Sequence, residues 1–461
     1  MSTPPLAGGA AGPDGLRPLL DVVLDALRDG AAARGGPLPA GGPEAVARRV
    51  RDAVGEVLPQ TPERDGADAL RTLVEALAHG AADPADPLCA AHLHTPPLAL
   101  AVAADLAAAA LNPSMDSWDQ APAASELEAL TTRALAAEVF PRRPAPDALV
   151  TTGGTESNQL AVLLARERHG ARGALQVVCG QNAHHSTTRA AWLLGLPEPV
   201  LVPAPAGTLD PAALDEALTT LHGPLLVAAT AGATDTGRID PLPEIADLCE
   251  RHGAQLHVDA AYGGPLLFSP AYRSLLAGLE RADSVTLDLH KLGWQPIAAG
   301  LLAVADRSRL APLGHTADYL NADDDTDAGL PDLLGRSLRT TRRPDVLKIA
   351  VTLKALGRSG LAELVEAVCD AARDLADLIE KTPGLVLYER PVISTVLFRP
   401  AAATDEQTAE IRRTLLAEGR AVLGRARADG RLWLKATLLN PHVTPRDLDT
   451  LIALVEGSTH R

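Results

Sequence analysis

Two stretches of the chain, QLHVDAAYGGP (Gln255–Pro265) and SVTLDLHKLGWQP (Ser284–Pro296), decide its fold. Each begins with a short run that contains apolar and strand-forming residues, which we interpret as a strand of a parallel sheet buried on both faces. Asp259 closes the first run, and His290 and Lys291 follow the second. Because ligands bind at the carboxyl ends of parallel strands, we expect these polar side chains to belong to one site.

Apolar runs of the same kind recur between residues 146 and 305, with helical stretches between them. Continuous apolar strands that alternate with helices indicate a mainly parallel sheet covered on both faces. We therefore predict an α/β fold, whose strands lie in DALVTT, ALQVVCG, PVLVP, GPLLVAAT, AQLHVDAA, SVTLDLH and AGLLAVA.

The segments on either side of these runs have other patterns. Residues 1 to about 16 are rich in Gly, Pro and Ala, which predicts a loose segment. Residues 16–80 space their apolar side chains by three and four, which predicts a helical arm. The predicted division is a helical arm in 1–85, a large domain in 86–343 and a small α+β domain in 344–461.

Charge and cysteine usage restrict the partners and the compartment. The net charge of −16 argues against nucleic acid or an anionic membrane as the main partner. The four cysteines are far apart and lack CxxC spacing, which favours reduced thiols over disulfides or zinc. The N-terminus lacks a secretory pattern, and the Ala-rich run 98–111 is too short to span a bilayer, so we expect a cytoplasmic protein. The acidic run 314–332 is interpreted as a solvated loop rather than a metal site.

A turn rich in glycine, TTGGTESNQLAVLL (Thr151–Leu164), follows one predicted strand and opens a helix. Gly153 and Gly154 allow close approach of a ligand to the backbone, and Thr155 adds a hydroxyl group. Free amides and the dipole at the helix start favour a phosphate. A tight turn with an N-cap explains the same residues, so taken alone the motif is weak.

Lys291 and Asp259 together suit pyridoxal 5′-phosphate (PLP). A lysine amine can hold the aldehyde as a Schiff base, and a carboxylate can keep the ring nitrogen protonated, so that the ring accepts an electron pair from Cα. His184, in NAHHSTTRAA, would stack on the ring and exchange a proton. Each residue also has an ordinary explanation, as a surface lysine, a helix cap or a loop histidine. Their order, at successive strand ends, favours a PLP enzyme.

These motifs resemble those of the group II PLP-dependent amino-acid decarboxylases, the aromatic-amino-acid and glutamate decarboxylase group. The resemblance extends from about Pro87 to Asp449. It implies PLP fold type I (aspartate-aminotransferase-like), with a mainly parallel seven-stranded sheet, a helical N-terminal arm and a small α+β C-terminal domain. It also implies a homodimer with active sites at the subunit interface, PLP as cofactor, and release of carbon dioxide from an L-amino acid.

The resemblance assigns a role to each residue of the motifs. Lys291 would hold the cofactor, Asp259 would pair with the pyridine nitrogen, and His184 would stack on the ring, and these three are the predicted catalytic residues. The other predicted cofactor-binding residues are Gly154 and Thr155 at the phosphate, Ala261 beside the ring, and Asp288 and His290 close to the lysine in sequence.

Residues 92–128 and 319–350 look most like the branch that acts on L-2,4-diaminobutyrate or on lysine and ornithine. In aromatic-specific members an aromatic residue precedes a Ser–Trp pair and lines the pocket of the neighbouring subunit. Here that position is Asp116, whose carboxylate would attract an ammonium group and repel an acidic one. We therefore predict a diamino acid substrate, with His94 and Thr95 as further candidate substrate residues.

The chain departs from the family pattern at several positions. Ala233 stands where many members have Thr, and Asp288 stands where several have Asn. The loop tyrosine that protonates Cα in aromatic-specific members has no clear counterpart, because Tyr319 is in the wrong register. His184 and water remain the candidates for that proton transfer.

Three other functions stay open at this stage. The chain could decarboxylate aspartate, glutamate or another amino acid. It could also be a decarboxylation-dependent oxidative deaminase that reacts with oxygen and yields an aldehyde, ammonia and peroxide; the missing loop tyrosine keeps that alternative open. A non-catalytic binding or scaffold subunit with the same fold is the third.

Overall fold

The computed structural model describes residues 4–62, 65–168 and 175–459. These residues form two compact units, of which one comprises Met1–Pro96 with Asp370–Arg461 and the other comprises Pro97–Cys369. The first segment and the last segment of the chain therefore share one unit. The three-part division predicted from the sequence stays a prediction.

The strands and helices are numbered along the chain. The strands are β1 (Cys89–Ala90), β2 (Asp147–Thr151), β3 (Gln176–Gly180), β4 (Val200–Val202), β5 (Leu225–Thr230), β6 (Gln255–Asp259), β7 (Ser284–Asp288), β8 (Gly300–Val304), β9 (Leu385–Leu387), β10 (Thr395–Pro400), β11 (Val422–Ala428) and β12 (Arg431–Thr437). The α-helices are α1 (Gly12–Arg34), α2 (Gly42–Val54), α3 (Gly66–Gly80), α4 (Ala99–Leu111), α5 (Pro122–Val139), α6 (Gly154–Arg168), α7 (Ser186–Leu193), α8 (Pro211–Thr220), α9 (Leu242–His252), α10 (Asp318–Asn321), α11 (Asp323–Asp327), α12 (Val346–Lys381), α13 (Asp405–Ala417) and α14 (Pro445–Thr459).

The unit Pro97–Cys369 contains the sheet that the apolar runs predict. Within the described residues it has seven strands in the order β2-β8-β7-β6-β5-β3-β4. All run in one direction except β8, which is antiparallel to both β7 and β2. The prediction of a mainly parallel seven-stranded sheet is therefore confirmed.

The central strands of this sheet are buried along their whole length, including polar residues such as His257 and Thr286. All residues of β5, β6 and β7 are buried, as expected for strands with helices on both faces. On one part of the sheet, Leu160 and Leu164 of α6 pack with Leu149 of β2 and Leu302 of β8. The helix α6 is thereby fixed on the sheet by its apolar side chains, and its first turn lies at the end of β2.

The other unit has a five-stranded sheet in the order β1-β11-β12-β10-β9. Its apolar core includes Leu375 and Ile379 of α12, Leu415 of α13 and Leu451 of α14. The short strand β1 pairs in parallel with β11, which ties the N-terminal segment to this sheet. No helix within the described ranges is long and apolar enough to cross a membrane.

The sequence pattern was wrong about where the N-terminal arm begins. Residues 1 to about 16 were expected to be loose, whereas α1 begins at Gly12. A proline in the first turn and Asp14 close behind it are both favourable at a helix start, which explains the earlier beginning. Residues 1–3 lie outside the described residues.

Candidate active site

The carboxyl ends of β2, β6 and β7 lie on the same edge of the large sheet. Thr151 ends β2, Asp259 ends β6 and Asp288 ends β7. The strand β8 runs the opposite way and starts at this edge, where Gly300 pairs with both Thr151 and Asp288. The sheet therefore brings together residues that are more than 130 positions apart in sequence.

Lys291 lies beside a buried carboxylate in the loop after β7. Its Nζ is 3.0 Å from Oδ2 of Asp288, and Nε2 of His290 is 3.5 Å from the same oxygen. The Asp288 side chain is only 2% exposed, whereas that of Lys291 is 19% exposed. Burial lowers the pKa of His290, and the charge of Asp288 opposes that shift. The lysine amine is thus paired and still accessible.

The turn that opens α6 is tight and follows directly on β2. Gly153 has φ 150°, which L side chains rarely adopt, and α6 begins at the next residue. A Cβ on Gly154 would lie 3.1 Å from Cβ of Ala261 and 3.1 Å from Oδ2 of Asp288. Thr155 is exposed in the first turn, where helix amides favour anions. The turn, Ala261 and Asp288 are therefore close neighbours.

Asp259 is buried and accepts hydrogen bonds on both of its carboxylate oxygens. Nδ2 of Asn158 donates to Oδ2 over 2.8 Å, and the backbone N–H of Ala261 donates to Oδ1 over 3.0 Å. Donors of this kind stabilise the ionised carboxylate. Sequence reasoning missed Asn158, although its position three residues after Thr155, on a helix facing the sheet, was a usable signal.

His257, also missed from the sequence, fixes the amide of Asn158. Its Nε2 is 3.0 Å from Oδ1 of Asn158, and its Nδ1 is 2.9 Å from Oγ of Ser284. Oγ1 of Thr286 donates to the same Asn158 oxygen over 2.8 Å. Complete burial lowers the pKa of His257 to about 4. A neutral ring that donates from Nε2 and accepts at Nδ1 satisfies every contact, so Asn158 presents its NH₂ group to Asp259.

His184 is oriented by the start of α7. The backbone N–H of Ser186 donates to Nδ1 of His184 over 3.3 Å, and Oγ of Ser186 is 2.8 Å from the same nitrogen. Burial lowers the pKa of His184, whereas the charge of Asp259 opposes that shift. A neutral ring that accepts at Nδ1 carries its hydrogen on Nε2. Ser186 also accepts from Asn158 over 2.8 Å, so His184 and Asp259 belong to one network.

The residues at this edge fit PLP. Oδ1 of Asp288 and Nδ1 of His290 are buried without a hydrogen-bond partner among the described residues. The glycine turn leaves space that a Cβ would fill, and a lysine, a hydrogen-bonded carboxylate and a histidine surround it. An aldehyde, a pyridine nitrogen and a phosphate would each find a chemical partner here. In the part of the chain that is described, no cluster of His, Cys, Asp and Glu could hold a metal ion.

The candidate substrate residues belong to other segments of the chain. Asp116 is buried in the unit Pro97–Cys369, and its Oδ1 accepts from Nε2 of Gln120 over 2.8 Å. His94 is exposed and Thr95 is buried, and both belong to the other unit. Tyr319 is 81% exposed at the start of α10. The roles of these residues stay predictions.

A family model, curated relatives and a solved structure resemble this chain over most of its length. Residues 56–401 match the family model described as the pyridoxal-dependent decarboxylase conserved domain. An L-2,4-diaminobutyrate decarboxylase of Rhizobium meliloti (strain 1021) is 42% identical over 81% of this chain and 78% of its own. An L-2,4-diaminobutyrate decarboxylase of Acinetobacter baumannii is 32% identical over 87% of this chain and 86% of its own length. A similar solved structure is the crystal structure of the glutamate decarboxylase domain of diaminobutyrate-pyruvate transaminase and L-2,4-diaminobutyrate decarboxylase from Vibrio parahaemolyticus. Its TM-score is 0.87 and its sequence identity is 31%, and the match covers 99% of this chain and 98% of that chain.

The depressed pKa of His257 predicts a pH dependence of stability. The imidazole titrates near 6.5 in an unfolded chain and near 4 when folded, so between these values the unfolded chain binds an extra proton. The free energy of unfolding should therefore fall as pH decreases from 6.5 towards 4, by up to about 1.4 kcal/mol per pH unit. Urea denaturation of cofactor-free protein should show a shallower decline for His257→Gln. The exposed His315→Gln serves as control, and equal slopes for wild type and His257→Gln would contradict this interpretation.

Proposed function

The chain belongs to the pyridoxal-dependent decarboxylase family, and we propose that within it the chain decarboxylates a diamino acid. L-2,4-diaminobutyrate is the first candidate substrate, and ornithine and lysine are the others. The observation that carries the proposal is the 42% identity to a relative named for L-2,4-diaminobutyrate. The position of Asp116 adds a chemical reason, because its carboxylate suits a substrate with a second ammonium group.

Bound PLP supplies an electron sink for the pair left at Cα when carbon dioxide departs. We propose that Lys291 anchors it through Nζ, and that Gly154 and Thr155 in the first turn of α6 bind the phosphate. Ala261, Asp288 and His290 would complete the binding site. The proximity of Gly154, Ala261, Asp288 and Lys291 supports this assignment.

Different side chains around the cofactor site would act on the proton of the pyridine nitrogen and on the proton delivered to Cα. The carboxylate of Asp259, which accepts hydrogen bonds from Asn158 and the Ala261 amide, would pair with the protonated pyridine nitrogen and stabilise it. Nε2 of His184, which carries a hydrogen when its Nδ1 accepts from Ser186, is our candidate for the proton delivered to Cα. Nζ of Lys291, 3.0 Å from Oδ2 of Asp288, would hold the aldehyde of the cofactor.

Asp116 is the residue to which we assign the distal ammonium group of the substrate. Its side chain is buried, and Gln120 donates to one of its oxygens without neutralising its charge. A buried carboxylate needs a cation or several donors, and a diamino acid would supply the cation. An acidic substrate would place a second anion there, which disfavours aspartate and glutamate.

We also propose a homodimer in which Asp116 contributes to the site of the partner subunit. The helical arm presents large apolar side chains to solvent: Leu24 is 59% exposed and Leu77 is 67% exposed. Leu27 and Leu73 on the same helices are also exposed, and apolar patches of this kind mark interaction surfaces. Sedimentation equilibrium should therefore give twice the mass of one chain. A monomer at micromolar concentration would contradict the shared site.

The decarboxylase assignment predicts the outcome of a substrate panel. Purified protein with PLP should release carbon dioxide fastest from L-2,4-diaminobutyrate, ornithine or lysine, and slowly from aspartate and glutamate. Borohydride treatment followed by peptide mapping should leave the cofactor on Lys291. Lys291→Ala should lose both the label and the activity, whereas the exposed Lys354→Ala should keep both. Peroxide and aldehyde formed in step with carbon dioxide would instead support the oxidative deaminase.

The assignment of Asp116 predicts a selective change in KM. Asp116→Asn should raise KM for L-2,4-diaminobutyrate roughly tenfold or more, since a hydrogen bond between charged groups contributes about 1.5–3 kcal/mol. The KM for L-2-aminobutyrate, which lacks the distal ammonium group, should change little. Asp119→Asn removes a nearby exposed charge and serves as the matched control. An unchanged KM in Asp116→Asn would remove Asp116 from the substrate site.

A further inference from the structure

The buried carboxylate of Asp288 lies against the turn that is proposed to bind phosphate. A Cβ on Gly154 would be 3.1 Å from Oδ2, and one on Gly153 would be 3.8 Å from Oδ1. The side chain is 2% exposed. Water therefore contributes little to the solvation of this carboxylate, and its partners must come from the protein or from a ligand.

The two oxygens of this carboxylate differ in their partners. Oδ2 is 3.0 Å from Nζ of Lys291 and 3.5 Å from Nε2 of His290. Oδ1 is buried without a hydrogen-bond partner among the described residues. An oxygen in that state is strongly destabilising unless a donor reaches it in the complete protein. We therefore expect the donor to Oδ1 to come with the bound ligand.

A phosphate dianion cannot be that donor, because all its free oxygens only accept hydrogen bonds. An Asn at this position could donate a hydrogen bond to a phosphate through its amide. In this chain the same position offers a carboxylate, so two anions would face each other in a buried site. In addition, Asp288 loses the ammonium partner beside it when Lys291 commits its amine to the cofactor. One proton between the two acids removes both the repulsion and the unpaired oxygen.

We infer that Asp288 and the cofactor phosphate share one proton, so that the cofactor is bound with one proton more than it carries as the free dianion. This inference rests on the proposed cofactor site and adds the ionisation state of its phosphate. Asp288 is accordingly a cofactor-binding residue that makes retention of the cofactor dependent on pH.

Other charged groups also surround Asp288. His290 and Lys291 contact its carboxylate, and the charge of Asp288 acts on His184 across the site. Asp259 ends the neighbouring strand β6, and the charge of Lys348 acts on His290. An Asp288→Asn variant keeps all of these groups. Loss of the Asp288 charge acts on His184 and His290 whether pyridoxal or PLP is bound, so a difference that appears only with PLP reports the Asp288 carboxylate and the phosphate together.

The shared proton predicts a pH dependence that belongs to the phosphate alone. Phosphate monoesters lose their second proton near pH 6, so above that pH a bound form that requires the proton becomes weaker by up to about tenfold per pH unit. Pyridoxal, which has no phosphate, would form the same bond to Lys291 as PLP. The ratio of the dissociation constants of pyridoxal and PLP therefore isolates the phosphate contribution.

The experiment measures both dissociation constants on cofactor-free full-length protein, by absorbance titration from about pH 6.5 to about pH 8.5. In the wild type the ratio should fall by tenfold or more across this range. In Asp288→Asn it should stay nearly constant, and at the upper pH the variant should bind PLP at least tenfold more tightly relative to pyridoxal. Asp324→Asn, an exposed change of equal charge, should behave as wild type.

Phosphorus NMR of the wild-type holoenzyme tests the same inference without a variant that has to fold. The bound phosphate should give the chemical shift of a monoanion or a shared-proton state at a pH where free PLP is the dianion. A dianion signal, or parallel pH slopes in wild type and Asp288→Asn, would overturn the inference. If Lys291 still carries the borohydride-fixed cofactor in that case, the proposed function survives; an unlabelled Lys291 would overturn the proposed function itself.

Discussion

The hydrogen bond from Asn158 to Asp259 connects the helix that begins at the glycine turn with the strand that carries the buried anion. A buried carboxylate without donors is costly, because burial disfavours its charge. Asn158 presents its NH₂ group to Asp259 because its amide oxygen accepts hydrogen bonds from His257 and Thr286 on the other side. The hydrogen bond that Asp259 receives from Asn158 therefore depends on three side chains, which lie on α6, β6 and β7.

The environments of the two aspartates explain how they can serve different purposes. Asp259 has neutral donors on both oxygens, so its charge is available to a ring nitrogen. Asp288 has a lysine on one oxygen and no hydrogen-bond partner within the described residues on the other. Two identical side chains at the ends of adjacent strands thus have different hydrogen-bond partners, and we expect them to interact differently with a ligand. Differences of environment are what usually separate acid and base roles.

Much of the fold could be predicted because buried parallel strands leave a direct trace in sequence. Each of the seven apolar runs became a strand, and the order of Asp259 and Lys291 placed them at one sheet edge. The strand β11 was missed because its sequence VLGRARA has polar residues at its exposed positions. Asn158 and His257 were missed for a different reason. Polar residues inside a helix or a buried strand acquire meaning only when the fold brings their partners within reach.

The position of residues relative to the sheet also explains why the reaction is easier to infer from the sequence than the substrate. Binding the cofactor and accepting the electron pair require groups at fixed places on the sheet edge, so strand order and burial restrict those residues strongly. In the proposed arrangement, the substrate side chain is contacted by segments that contribute no strand to the sheet. Asp116, between α4 and α5, belongs to such a segment. A change of charge there would leave the hydrogen bonds of the sheet intact, so we expect this carboxylate to affect specificity separately from the chemistry.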